Sequence, residues 1–326
     1  MLYTSYSENY TSLFTLPSST PEWTKTFIQP ICQSDHSINE EGSLVIFRTY
    51  ETGKQGIYLL NGTNEDTIWS RYYPSGNIES LMLSDKNNVF SLIQNEKRLE
   101  KINLQNETVW NINFSYFAVY VGLAKNESLM VVTDTINSLS IIDPTNGIIL
   151  HNKTFTDIIQ NVIVSEDGKR IIVALQTGGI TSKYVSISPT TYEIVKESSN
   201  LPRGRVLPLD EQLDNFLVYS DGLSNAFFVM DTASMSVKFN RTLSVSNDAR
   251  STDSCLSTGV FGSILMSGHL FLFSTTRELP PAPPTPTPTL LEELSALFSK
   301  PVNWIGLGVM ALFGFLIGAL VGKKRK

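Results

Sequence analysis

The stretch that decides the fold is residues 157–196, DIIQNVIVSEDGKRIIVALQTGGITSKYVSISPTTYEIVK. Its β-branched runs at 158–164 and 170–175 flank the pair Asp167-Gly168, and Asp-Gly between such runs is the strongest short-range signal of a β-hairpin. The pair Gly178-Gly179 predicts the next turn, and two further alternating runs follow it. The stretch therefore predicts four consecutive antiparallel strands.

Units of the same kind recur about every 40 residues, which is typical of β-propeller blades. The predicted units are four-stranded at residues 30–73, 75–114, 115–155, 156–200 and 201–243, and three-stranded at 244–276. The segment 22–28 has the same pattern as the strands that end the first two units, so we predict that it supplies the missing last strand. The predicted fold class is all-β, a six-bladed β-propeller closed by this N-terminal strand, and an irregular β-sandwich is the alternative.

The composition changes after residue 276. The proline-rich run at 280–288 predicts an extended polyproline II spacer or a plain disordered linker. Residues 304–322 carry no charge and are followed by four basic residues, which predicts a single C-terminal transmembrane helix. The predicted organisation is a flexible N-terminal tail (1–21), a β-propeller (22–276), a Pro/Thr-rich linker (277–289), a short amphipathic helix (290–300), the transmembrane helix (304–322) and a basic tail (323–326).

Several signals bear on the side of the membrane where the propeller lies. The basic tail favours a cytosolic C-terminus, and Lys323 and Lys324 resemble a dilysine retrieval signal of the endoplasmic reticulum. N-glycosylation sequons occur at Asn9, Asn61, Asn106, Asn113, Asn126, Asn152 and Asn240. We therefore predict a lumenal or extracellular propeller. Residues 1–21 lack the pattern of a signal peptide, so the alternative is a tail-anchored protein with its propeller in the cytosol.

Two further features concern contacts within and beyond the chain. Gly314, Gly318 and Gly322 repeat every fourth residue, which predicts a small-residue face where a partner helix packs. Cys32 and Cys255 lie on the predicted first strands of the first and last units, which the closed ring would make neighbours. They are either a disulfide that locks the ring or two buried thiols.

Two motifs carry a family resemblance. The sequence DPTNG at 143–147 resembles the strand–turn–strand motif of quinoprotein-like (PQQ-like) repeats, and SEDGKR at 165–170 resembles the hairpin of WD-like and YVTN-type repeats. The resemblance implies a β-propeller over roughly residues 22–276. Quinoproteins hold their cofactor with calcium ligands and adjacent cysteines, and since this sequence has no adjacent cysteine pair, we predict no cofactor.

The sequence offers few groups for catalysis. The net charge is −6 without a basic patch, which argues against a nucleic-acid partner. His36, His151 and His269 fall in different predicted units, and no nucleophile or paired-carboxylate signature accompanies them. We predict no catalytic or metal-binding residue, and instead a scaffold or subunit of a membrane complex that binds proteins through its rim and its transmembrane helix. The alternative is a propeller hydrolase or oxidoreductase with Asp35, His36 and Asp253 around a metal at the channel mouth.

Overall fold

The fold is given by a computed structural model, which describes residues 2–5, 10–13, 23–26, 31–39, 41–51, 54–74, 76–219, 226–242, 249–255, 260–265 and 270–274. All of them belong to the first of two compact units, Met1–Thr275. The linker, the amphipathic helix, the transmembrane helix (304–322) and the basic tail predicted above lie outside the described residues. Within the described ranges, no helix has the length and apolar character needed to cross a membrane.

The described residues form 27 β-strands and no helix, and the strands are arranged in seven antiparallel sheets. Sheet 1 contains β1 (Leu2–Ser5), β2 (Tyr10–Leu13) and β3 (Trp23–Thr26). Sheet 2 contains β4 (Ile31–Ile38), β5 (Leu44–Glu51), β6 (Lys54–Asn61) and β7 (Thr67–Tyr73). Sheet 3 contains β8 (Ile78–Leu83), β9 (Val89–Ile93), β10 (Arg98–Ile102) and β11 (Thr108–Asn113).

The remaining sheets follow the same plan. Sheet 4 contains β12 (Ala118–Leu123), β13 (Met130–Asp134), β14 (Ser138–Ile142) and β15 (Ile149–Thr154). Sheet 5 contains β16 (Ile158–Val164), β17 (Ile171–Gln176), β18 (Thr181–Ile187), β19 (Ile194–Glu197) and β20 (Leu201–Pro202). Sheet 6 contains β21 (Arg205–Pro208), β22 (Asn215–Tyr219), β23 (Ala226–Asp231) and β24 (Ser236–Thr242). Sheet 7 contains β25 (Ala249–Cys255), β26 (Val260–Leu265) and β27 (Leu270–Ser274).

Sheets 2 to 6 confirm the five predicted four-stranded units. Each is a meander in which strands that follow each other along the chain are also neighbours in the sheet. The quoted stretch forms β16 to β19, and the Asp167-Gly168 turn joins its first two strands as predicted. One difference is that β20, predicted to belong to the next unit, pairs with β18.

The core lies between neighbouring sheets, because the middle strands bury both of their faces. On β17, Ile171, Val173 and Leu175 pack into the cluster shared with sheet 4, while Ile172 and Ala174 pack into the cluster shared with sheet 6. Successive side chains of a strand point to opposite faces, so one strand supplies two cores. Equivalent clusters join sheet 2 to sheet 3 and sheet 3 to sheet 4. The sheets therefore follow one another face to face in chain order.

The third and fourth strands of each complete sheet share one irregularity. Their register shifts at Leu59/Leu60, Lys101/Ile102, Ile141/Ile142, Ser186/Ile187 and Val229/Met230. A bulge of this kind increases the local twist of the strand pair. Its recurrence at one place in five sheets shows that they are repeats of a single structural unit.

We call one end of the sheets the turn face, because the hairpins that join first to second strands and third to fourth strands lie there. The opposite end, with the remaining connections, is the loop face. At the turn face, the first hairpins of neighbouring sheets are hydrogen-bonded in succession. Asp85 N donates to Lys125 O at 2.9 Å, and Glu166 N donates to Glu211 O at 2.9 Å. Ser128 Oγ also donates to Asp167 O at 3.0 Å.

The structure corrects the prediction for the N-terminal region. Two strands, β1 and β2, occupy part of the predicted flexible tail (1–21), and β3 pairs with β2 from Tyr10↔Thr26 to Leu13↔Trp23. β3 therefore belongs to sheet 1, and the described residues show no ladder between β3 and β27, so this strand is not placed in the last unit as predicted. The physical reason is that tyrosine and threonine favour strands even without an alternating apolar pattern. The number of blades and the closure of the ring stay predictions.

This correction also affects the argument for the cysteine pair. Cys32 lies on β4 and Cys255 on β25, the first strands of sheets 2 and 7, as predicted. The first strand of sheet 2, however, contacts β1 of sheet 1. The side chains of both cysteines lie outside the described part, so the disulfide stays a prediction.

Candidate interaction surface

The residues predicted for the alternative enzyme site lie on first strands. Asp35 and His36 are on β4, and Asp253 is on β25. Their side chains are outside the described part. Where side chains are described, no group of three or more His, Cys, Asp or Glu residues is arranged to hold a metal ion. His151, on β15, stacks on Tyr192 with the ring centroids 4.5 Å apart, so this histidine packs against a neighbouring sheet.

A buried ion pair joins sheet 3 to sheet 4. Lys101 Nζ lies 2.6 Å from Glu127 Oε2, and the two side chains are 7% and 2% exposed. Ser84 and Asn88 also donate to the Glu127 carboxylate. Burial alone would raise the pKa of Glu127, but the hydrogen bonds from Lys101, Ser84 and Asn88 hold it below its usual range. This carboxylate therefore stays ionised and is occupied in holding two sheets together.

A second polar cluster joins sheet 2 to sheet 3. Tyr73 Oη donates to the buried Glu100 carboxylate, and Arg71 Nη1 lies 3.5 Å from the same oxygen. Burial, followed by the charge of Glu100, raises the pKa of the Tyr73 hydroxyl well above its usual value. Arg71 also donates to Asn106 in the last hairpin of sheet 3. Tyr73, Arg71 and Glu100 thus stabilise the contact between sheets 2 and 3.

The loop face carries exposed apolar side chains on several neighbouring connections. The five are Tyr116 (49% exposed), Phe117 (44%), Ile136 (45%), Ile158 (54%) and Ile180 (68%). We call this set the apolar patch. Hydrogen bonds place its parts side by side: Thr135 N donates to Phe117 O at 3.0 Å, and Ile159 N donates to Asn137 Oδ1 at 3.4 Å. Exposed apolar side chains grouped in this way mark surfaces that bind other molecules.

The outer strands reveal a second feature at the turn face. In each outer strand, one residue occupies the equivalent register position after the bulge; these residues are Trp69, Trp110, His151, Lys196 and Phe239. Trp69 belongs to the core between sheets 2 and 3. Trp110 Nε1 donates to Pro144 O at 3.0 Å in sheet 4, and His151 stacks on sheet 5. A ring therefore covers the contact with the next sheet at each of these three positions.

At β19 the equivalent residue is Lys196, which is exposed, and a groove of about 690 Å³ lies beside it. Its lining includes Leu150, Lys169, Arg170, Val195, Lys196 and Thr232. Sequence reasoning missed this groove. The signal that could have found it is the lysine that replaces an aromatic ring at one repeat position, but the register of the repeats had to be known first.

The sequons are distributed unevenly over the structure. Asn113, Asn152 and Asn240 are exposed on the outer strands β11, β15 and β24. Asn152 and Asn240 directly follow His151 and Phe239, so they occupy the same register position. On β11 this position is Asn111, and Asn113 lies two residues further along the strand. All three therefore project from the equivalent side of their strands.

Of the other sequons, Asn61 ends β6, and Asn106 and Asn126 lie in turns. Asn126 is exposed, whereas Asn61 and Asn106 are half-buried. The Asn61 carboxamide accepts a hydrogen bond from Thr63 N, and that of Asn106 accepts one from Arg71. Asn9 lies outside the described residues. Of the predicted glycosylation sites in the described residues, the three on outer strands and Asn126 are thus exposed to solvent.

Comparison with known proteins establishes the fold and not the family. No protein-family model matches this sequence, and no curated protein matches it either. Among solved structures, the chain is similar to the β-propeller domain of Cps50 (Swd1) from Myceliophteria thermophila, with a TM-score of 0.65 and 10% sequence identity. The match covers 84% of this chain and 96% of that domain. The chain therefore contains a β-propeller, as its repeats predicted.

Proposed function

We propose that this protein is a membrane-anchored, non-catalytic β-propeller that binds protein partners as a scaffold or as a subunit of a membrane complex. The apolar patch on the loop face is the observation that carries the proposal. Four of its five side chains belong to three separate connections, and Ile158 begins β16, so the patch does not belong to a single protruding loop. The buried charged groups support a scaffold, because they hold sheets together instead of facing a cleft.

The anchor is the second part of the proposal. Residues 304–322, an uncharged stretch followed by Lys323 and Lys324, are proposed to span the bilayer, and Gly314, Gly318 and Gly322 form a face for a partner helix. We propose that the propeller lies on the lumenal or extracellular side. The support is the basic C-terminal tail together with the exposed sequons on outer strands.

The patch is tested by capturing partners of the full-length chain after cross-linking in intact membranes. In the variant Tyr116→Glu/Ile158→Glu, two exposed apolar side chains become charged, and we expect the cross-linked partners to be recovered at least about tenfold less, since central interface residues carry most of the binding energy. The control is Val109→Glu, because Val109 is 50% exposed on β11, where it lies near the turn face. Unchanged recovery with the double variant would contradict the proposal.

A further inference from the structure

The groove beside β19 lies at the position where the three preceding sheets make an aromatic contact with the next sheet. Trp110 and His151 cover the contacts of sheet 3 with sheet 4 and of sheet 4 with sheet 5. At the contact of sheet 5 with sheet 6, Lys196 occupies the position that Trp110 and His151 occupy in sheets 3 and 4. Thr232 of sheet 6 lines the open groove beside it. We infer that this groove and the edge of β19 dock an extended segment of a partner protein, with an aromatic side chain and a neighbouring carboxylate. The inference rests on the proposed function of protein binding.

The edge of β19 fits an extended segment. All four residues of β19 are exposed, including Ile194 (40%) and Val195 (59%), and sheet 5 ends at this strand in the described part of the chain. An outermost strand leaves backbone N–H and C=O groups unpaired, and an added strand from another chain satisfies them. Because side chains of the added strand alternate, one face of it would place its residues in the groove.

Charge decides which segment fits. Among the groove's cations, Lys169 Nζ is 2.8 Å from Asp167 Oδ2, and Arg170 is paired with Asp214. The side chain of Lys196 is exposed, and its ammonium group makes no ion pair or hydrogen bond with the described residues. One positive charge is therefore unmatched beside the apolar side chains Leu150 and Val195. An aromatic ring next to an Asp or Glu is complementary to this arrangement, and the ring takes the place that Trp110 and His151 fill elsewhere.

The experiment selects peptides from a random twelve-residue library displayed on phage, with the full-length protein in detergent as the target. We expect enrichment of peptides that have an aromatic residue within two positions of Asp or Glu. A synthetic copy of the selected peptide should bind at least about tenfold more weakly to Lys196→Glu and to Lys196→Trp, since the first reverses the charge and the second fills the gap with the protein's own ring. Lys86→Glu, an exposed turn lysine of sheet 3, is the control and should bind normally.

The outcomes separate this inference from the proposed function. If no peptide is enriched, if the enriched peptides lack acidic residues, or if Lys196→Glu binds as tightly as the wild type, the docking site is wrong. Binding that survives in Lys196→Trp would place the peptide outside the groove. Loss of cross-linked partners in Tyr116→Glu/Ile158→Glu does not depend on Lys196, so that experiment tests the apolar patch independently of the groove.

Discussion

At the scale of single residues, Glu127 combines two unusual features. It is a buried carboxylate, and it adopts a left-handed backbone conformation with φ of 59°. The same place in the first hairpin of sheet 5 is taken by Gly168, with φ of 72°. A left-handed conformation costs a residue with a Cβ free energy, which glycine avoids. The charge pair with Lys101 and the hydrogen bond from Ser84 hold Glu127 in this conformation.

Removing Lys101 should therefore be costly. In Lys101→Met, the Glu127 carboxylate stays buried without its cation, and the loss of one partner of a buried pair costs about 3–5 kcal/mol. The double variant Lys101→Met/Glu127→Gln should recover part of this free energy of unfolding, because a neutral amide is less costly to bury. Urea unfolding of the full-length protein in detergent measures both.

A matched control for this prediction is Lys153→Met. Lys153 Nζ lies 3.4 Å from Glu193 Oε2, but the glutamate is 78% exposed, so this ion pair should be worth less than about 1 kcal/mol. Equal losses in Lys101→Met and Lys153→Met would show that burial of the Lys101–Glu127 pair does not matter. The sequence alone could not predict this pair, because its members are 26 positions apart and meet only where two sheets pack.

At the scale of strands and turns, the last hairpin of sheet 4 must fit beneath the Trp110 ring of sheet 3. In sheet 4 this turn contains Gly147, with φ of 76°. A Cβ atom on Gly147 would lie 2.9 Å from Trp110 Cδ2, closer than carbon atoms pack. Glycine is thus required twice, for its backbone conformation and for the approach of the indole.

The variant Gly147→Ala should consequently lower the free energy of unfolding by about 1–3 kcal/mol, because it adds left-handed strain and displaces the Trp110 ring. Urea unfolding again gives the difference. Gly179→Ala is the control, since no atom lies within 4 Å of the added Cβ and its φ is not positive. If both substitutions have the same small effect, the contact between Trp110 and the turn does not limit the packing of sheet 3 on sheet 4.

The strand predictions succeeded where local sequence determines the structure. Asp167-Gly168 and the alternating runs around it define hairpins without reference to the rest of the chain, and the five complete sheets were predicted from such signals. The partner of β3 was wrong because pairing is decided over long range. Trp23 has the pattern of a last strand, which it is, but its sheet is formed with Tyr10–Leu13. The groove at Lys196 was missed for the same reason.

At the scale of the whole β-propeller, sheets 3 to 5 each bury their faces against the preceding and the following sheet, and their outer strands remain at the surface. Exposed outer strands are sites of unwanted pairing between chains. A glycan on an outer strand would block such pairing. The exposed sequons at Asn113, Asn152 and Asn240 lie on the outer strands of sheets 3, 4 and 6, whereas β19 of sheet 5 has none. Among the outer strands of sheets 3 to 6, glycosylation would thus leave only β19, which borders the groove, without a glycan.

This distribution predicts the outcome of glycosylation mapping, which also tests the side of the membrane. In a eukaryotic cell, a lumenal propeller should lose one glycan in each of Asn113→Gln, Asn152→Gln and Asn240→Gln, seen as stepwise mobility shifts that glycosidase treatment abolishes. Asn111→Gln, an exposed β11 residue outside any sequon, should leave the mobility unchanged. A wild-type chain without glycans would instead support the tail-anchored alternative, because enzymes that attach N-glycans act only in the lumen. In that case no glycan would cover β11, β15 or β24, and glycosylation would not distinguish β19 from these outer strands.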